Sequence, residues 1–317
     1  MSRLRALGIL TVMALAACDP VDPPLQTSPR PLAAPVRPER AVLAQGPSEE
    51  SRALRRYYSR LEQSLKSDGL LRTDSGEADA PFTAAELARN FERIALFSEY
   101  TQVGGRYVAQ ESRAQLRRWE RPVRVELHFG ASVPEATRRT DTARIQAYVA
   151  RLSSVTGHPI SVVNQAGNYH IFVASVDEQR GLGPQISAVE PGLSRSTVRE
   201  ITSLDRSTYC AVYASSSSDR PNAYVSAIAF VRSEHPDLFR LSCYHEEIAQ
   251  GLGLANDSPD VRPSIFNDDE EFALLTRHDE LLLRILYDRR LRVGISDEEA
   301  RPIIRQIAAE LVGTGPA

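Results

Sequence analysis

From Val123 to Phe129, apolar side chains (Val123, Val125, Leu127, Phe129) alternate with polar ones (Arg124, Glu126, His128). A period of two is satisfied only by an extended strand with one buried face. The spacing then predicts a helix from about Asp141 to Ser154 and strands over Ile160–Val163 and Tyr169–Val176. Strand, helix, strand, strand within about 50 residues implies an α/β (α+β) unit with a mixed sheet, because the strands must share one core. Two further strands are predicted at Tyr209–Ala214 and Ala223–Val231, with Ser215–Ser218 as the turn between them, and a helix follows from about Pro236 to Gly251.

The segment before Trp119 has a different texture. Leu54, Tyr57, Tyr58, Leu61 and Leu65 recur at helical spacing over residues 49–67, and Asp68-Gly69 ends the run. Thr83-Ala84-Ala85-Glu86 has the spacing of a capping box and opens a second helix through Leu87, Phe91, Ile94 and Ala95. Residues 49–118 are therefore expected as a helical appendage and 119–317 as the main domain. Between Asp19 and Pro47 lie eight prolines and almost no periodic apolar pattern, the composition of an extended tether over residues 18–48.

Residues 1–17 begin with Arg3 and Arg5 and continue as an apolar run from Ala6 to Ala17. That is the pattern of a signal peptide. A run of about 12 residues is too short to cross ~30 Å of hydrocarbon. Leu15-Ala16-Ala17-Cys18 resembles a bacterial lipobox, which implies cleavage before Cys18, lipid attachment to its thiol and a folded domain held in the periplasm at the lipid bilayer. Asp19 bears on inner against outer membrane retention and leaves both open. Losing the leader removes two arginines and no acid, moving the net charge from −3 to −5. Lys66 is the single lysine, and the arginines are scattered among acids, so no electrostatic footprint for nucleic acid is present. Cys210 and Cys243 then remain, an even number of thiols that suggests a disulfide in an exported protein.

The densest cluster of reactive side chains is Cys243-Tyr244-His245-Glu246-Glu247-Ile248-Ala249-Gln250-Gly251-Leu252-Gly253-Leu254-Ala255-Asn256-Asp257-Ser258. At helical spacing Glu246, Glu247 and Gln250 share one polar face, while His245 falls on the row of Leu241, Ile248 and Leu252. This stretch resembles the active helix of the metzincin metallopeptidases, HExxHxxGxxH. Glu246 stands at the first ligand position, Glu247 at the general base, Gln250 at the second ligand, Gly253 at the turn and Asn256 at the third ligand. Ser264-Ile265-Phe266 stands where those enzymes place a methionine turn, with Phe266 for Met, and Leu275 through Tyr287 is similar to their closing helix. The resemblance covers about residues 119–290 and implies a mixed, mainly parallel twisted sheet with a long active-site helix. The segments around Glu246-Glu247, Asn256-Asp257-Ser258, Ser264 to Asp268 and Leu275 to Leu283 are also similar to a family of bacterial envelope proteins, the domain-of-unknown-function family numbered 2927.

All three ligand imidazoles are missing. Glu246 can ligate a metal, but Gln250 and Asn256 offer neutral amide oxygens that suit calcium or magnesium better than zinc. Taking His245 as first ligand puts Ala249 at i+4, and His128, His158, His170, His235 and His278 have no local spacing that leads to this helix. Zinc is therefore not expected, and no cofactor is assigned. Glu247 remains the best candidate for catalysis, since one of two adjacent carboxylates in a cleft can have a raised pKa. The expected function is a lipid-anchored envelope protein whose metzincin-like domain binds a peptide or another envelope component without hydrolysis. The alternatives are an unorthodox hydrolase using Glu247 with an altered ligand set, and a structural envelope protein. Asp268-Asp269-Glu270-Glu271 lacks the alternating ligands of a calcium loop and is expected to precede a helix. Ser215–Ser218 lacks the context of a nucleophile elbow.

Overall fold

The computed structural model describes residues 46–103, 106–267 and 269–313, so the leader, Cys18 and the tether as far as Gln45 lie outside the described residues. Two helices open the described chain, α1 (Glu49–Ser67) and α2 (Ala84–Ala95), followed by an antiparallel ribbon of β1 (Phe97–Val103) and β2 (Arg106–Arg113). The capping box read at Thr83 and Glu86 is present. Then come β3 (Arg118–Trp119), β4 (Val123–Phe129), α3 (Glu135–Thr156), β5 (Ile160–Val163), β6 (Tyr169–Ala174) and the short helices α4 (Val176–Gln179), α5 (Gly183–Val189) and α6 (Arg195–Ile201). The hairpin β7 (Cys210–Ser217) and β8 (Arg220–Arg232) leads into α7 (Asp237–Gln250), α8 (Arg277–Leu286) and α9 (Asp297–Val312).

The main sheet has the order β3-β8-β6-β4-β5, every pair parallel, and β7 joins β8 as the antiparallel member. The fold is mixed α/β with a mainly parallel sheet. Ser215–Ser217 complete β7, and the turn itself is Ser218-Asp219. Burial explains the register, because a one-residue slip would turn every core side chain outward. On one face Val125, Tyr169, Ile171, Val173, Ala229 and Val231 pack against Ile145, Tyr148 and Leu152 of α3 and Tyr244 and Ile248 of α7. On the other, Phe172, Ala174, Ile228 and Phe230 pack against Leu182 at the start of α5, Ile186 of α5 and Ile201 of α6. That second layer lies over β6 and β8. Glu126 and His128 on β4 are left only half-buried.

The two helices expected as an appendage are built into the body. Leu87, Phe91 and Ile94 of α2 belong to the main core, and Tyr58 of α1 joins Leu71, Phe239 and Ala273 in a smaller cluster. Several boundaries differ from expectation. Pro134 opens α3 well before Asp141, and β6 stops at Ala174 because Ser175 and Glu178 form a capping box for α4. The ribbon β1–β2, the helices α5 and α6, and α9 are additional to the sequence expectations.

Candidate functional site at the end of helix α7

Helix α7 is fixed against α3 by a buried ion pair: Arg240 donates to both carboxylate oxygens of Asp141, at 2.7 and 3.2 Å, and the Tyr244 hydroxyl donates to the same group at 2.8 Å. On its other side the Cys210–Cys243 disulfide ties α7 to β7, with the α-carbons 5.9 Å apart. The Tyr169 hydroxyl from β6 donates to the main-chain oxygen of Glu247 at 2.6 Å. The helix is thus held from three directions along its length.

The polar face expected here divides in the structure. Glu246 and Gln250 are half-buried, whereas Glu247 is only 3% exposed. Cys210 Sγ and one carboxylate oxygen each from Glu246 and Glu247 lie within 4.8 Å of one another. Because that sulfur is in the disulfide, it is no thiolate ligand. Gln250 and Asn256, which the resemblance put at ligand positions, have other partners. Gln250 Nε2 donates to the Asp257 carboxylate at 2.9 and 3.1 Å. Asn256, 2% exposed, donates from Nδ2 to the Arg93 carbonyl at 3.0 Å, and its main-chain N–H donates to that of Ile94 at 3.1 Å. Both amide NH2 groups therefore hold the loop after α7, one to itself and one to the end of α2.

Gly253, at φ +130°, is where this loop requires a glycine: a Cβ would stand 2.3 Å from the Arg117 carbonyl oxygen. The turn that follows is anchored by the fully buried Asp279, which accepts from the Ser264 hydroxyl, the Ile265 amide and the Thr276 amide and hydroxyl. Phe266 is wholly buried in the main core.

The histidines divide by role. His245 stacks on Tyr148 with 3.9 Å between ring centres, and its Nδ1 accepts from the Leu275 amide at 3.0 Å. Burial, aided by the charge of Arg151, pushes its pKa down to about 3, so it is neutral. His235 is likewise pushed to about 3 by burial and bonds the Tyr209 carbonyl. His158 bonds the Arg121 carbonyl, and His278 lies against Phe82 and contacts Asn90 Nδ2 at 3.0 Å. His128 and His170 meet Glu126 on the sheet face away from α7, a grouping that the sequence reading did not assemble. Alternation already puts Glu126 and His128 on one side of β4; only the register with β6 adds His170.

The acidic run does not precede a helix directly: Glu271 accepts from Arg72 and Arg262, and α8 starts only at Arg277. No described helix is long and apolar enough to cross a membrane. Neither the curated proteins nor the solved structures contain a match to this chain. The family described as "Protein of unknown function (DUF2927)" matches residues 84–306, a span that runs from the first residue of α2 into α9 and takes in the whole sheet, α7 and the loop after it. The chain belongs to that family.

Proposed function

We propose that this protein is a lipid-anchored envelope protein whose metzincin-like domain binds an extended peptide or a comparable envelope component and does not hydrolyse it. The observation that carries this reading is the use of Gln250 and Asn256. Their NH2 groups are spent as donors to Asp257 and Arg93, so the loop is built on the two positions where the resemblance calls for metal ligands. The groups left to a metal at this place are amide oxygens, which are poor zinc ligands.

The topology supports the metzincin-like part. Five strands pair in parallel, β7 lies antiparallel at β8, and the disulfide from β7 reaches α7 beside the two glutamates. Among the described residues β7 pairs with β8 alone. A strand with one free edge suits an extended peptide, since main-chain hydrogen bonds supply affinity irrespective of sequence. Glu246, half-buried near the Cys210 sulfur, adds negative charge at this end of β7, which favours a basic or donor-rich partner. Anchoring at Cys18, in the periplasm, rests on the resemblance of Leu15–Cys18 to a lipobox.

A library of random peptides passed over the immobilised mature chain tests this. Retention should persist in a chelator and fall about tenfold for Glu246→Lys, the equivalent of one charge-assisted contact. Retention that is absent, or that is indifferent to Glu246→Lys, contradicts the proposal.

A further inference from the structure

On the sheet face opposite α7, β4 and β6 run parallel with Glu126 opposite His170 and His128 opposite Phe172. Because side chains alternate along a strand, Glu126, His128 and His170 all leave the sheet on one side. His128 Nε2 and His170 Nδ1 are 3.0 Å apart, Glu126 Oε1 is 3.9 Å from His128 Nε2, and Glu126 Oε2 is 4.0 Å from His170 Nδ1. Ligand atoms held about 2.0–2.1 Å from a tetrahedral zinc ion stand roughly 3.3 Å from one another. Small side-chain movements bring these three to that spacing. From this geometry we infer that Glu126, His128 and His170 form a binding site for a divalent first-row transition ion of the zinc class, separate from the end of α7.

The surroundings hold two of the three side chains in place. The His128 ring stacks on Phe172, with 4.5 Å between centres and 16° between planes, which fixes its orientation. Glu126 Oε2 accepts from the Gly167 amide at 2.8 Å. That close approach requires glycine: a Cβ at Gly167 would lie 2.5 Å from the Glu126 Cβ and 2.9 Å from Oε2. An outer donor to a ligating carboxylate is a regular part of metal sites. Access is open on one side, since the side chains of His128 and Glu126 keep 24% and 18% exposure while that of His170 keeps 6%.

The donor set selects the ion. Two imidazoles and one carboxylate suit zinc and its neighbours, whereas calcium and magnesium prefer all-oxygen ligands. Three protein ligands with an open side leave one position for water or a small anionic ligand.

The test is titration of the chelator-stripped mature chain with zinc chloride, followed by calorimetry and by metal analysis after dialysis. One ion per chain should bind, and magnesium and calcium chlorides should not displace it. His128→Gln and His170→Gln should each weaken binding by more than about a hundredfold, beyond the ~10–100-fold cost expected for the outer-shell change Gly167→Ala. Glu246→Gln and Glu247→Gln should leave it unaltered, which keeps this outcome distinct from the fate of the α7 cleft. Cobalt substituted into the wild-type chain adds a readout that needs no variant: its visible spectrum should report a four-coordinate nitrogen–oxygen site. Absence of stoichiometric zinc, binding that survives both histidine changes, or binding that follows Glu246 and Glu247 would each overturn the inference.

Discussion

At the scale of single residues, environment decides what each ionisable side chain does. His245 sits one position before the first ligand position of the metzincin pattern, yet its Nδ1 is committed to the Leu275 amide and its ring to Tyr148. Protonation at Nδ1 would break that hydrogen bond, and burial leads among the causes that hold its pKa near 3. The consequence for stability has a definite sign. Between its ordinary value of 6.5 and about 3, the unfolded chain takes up a proton at His245 that the folded chain refuses. The folded state keeps its full stability above pH 6.5 and loses about 1.4 kcal/mol per pH unit through this group as the pH falls toward 3. Denaturant unfolding of wild type and His245→Asn at pH 7, 6 and 5 should show that extra slope in wild type alone. Equal slopes would show that His245 titrates alike in both states.

At the scale of elements, α7 is positioned by bonds that sequence periodicity does not reveal. The Asp141–Arg240 pair and the disulfide clamp the helix between α3 and β7. Replacing Cys210 and Cys243 by serine should cost about 2–4 kcal/mol, by analogy with closed loops of this size, and lower the denaturation midpoint. An unchanged midpoint would mean that packing alone holds β7 to α7. Much of this layout was legible in the chain. The alternation Val123–Phe129 placed β4, Thr83 and Glu86 marked the start of α2, and the paired cysteines anticipated the disulfide. What escaped depends on partners distant in sequence. Glu247 reads as one member of a polar face with Glu246 and Gln250 but is buried, with Tyr169 of β6 bonded to its backbone and the Cys210 sulfur of β7 near its carboxylate. His170 gains Glu126 and His128 as neighbours only through strand register. Helix α9 did carry a signal, Ala300, Ile304, Ile307 and Ala308 on one face, and all four are buried.

At the scale of the whole molecule, the account joins a proposed lipid anchor to a described body in which the two sheet faces have separate tasks. The face under α7 carries Glu246 and Glu247, with the Gln250 and Asn256 amides used as structural donors, and the opposite face carries the histidine pair. Anchoring is checked by fractionating cells that express the full chain: wild type should sediment with membranes, and Cys18→Ser should appear in the soluble fraction. Co-sedimentation of the Cys18→Ser chain would remove lipid attachment from the account. The central claim, a metzincin-like cleft that binds without cutting, is tested most directly by incubating the mature chain with a random peptide library in excess zinc and reading the products by mass spectrometry. The account predicts intact peptides from wild type and Glu247→Gln alike. New termini produced by wild type and absent with Glu247→Gln would contradict it and establish Glu247 as the catalytic base of a working hydrolase.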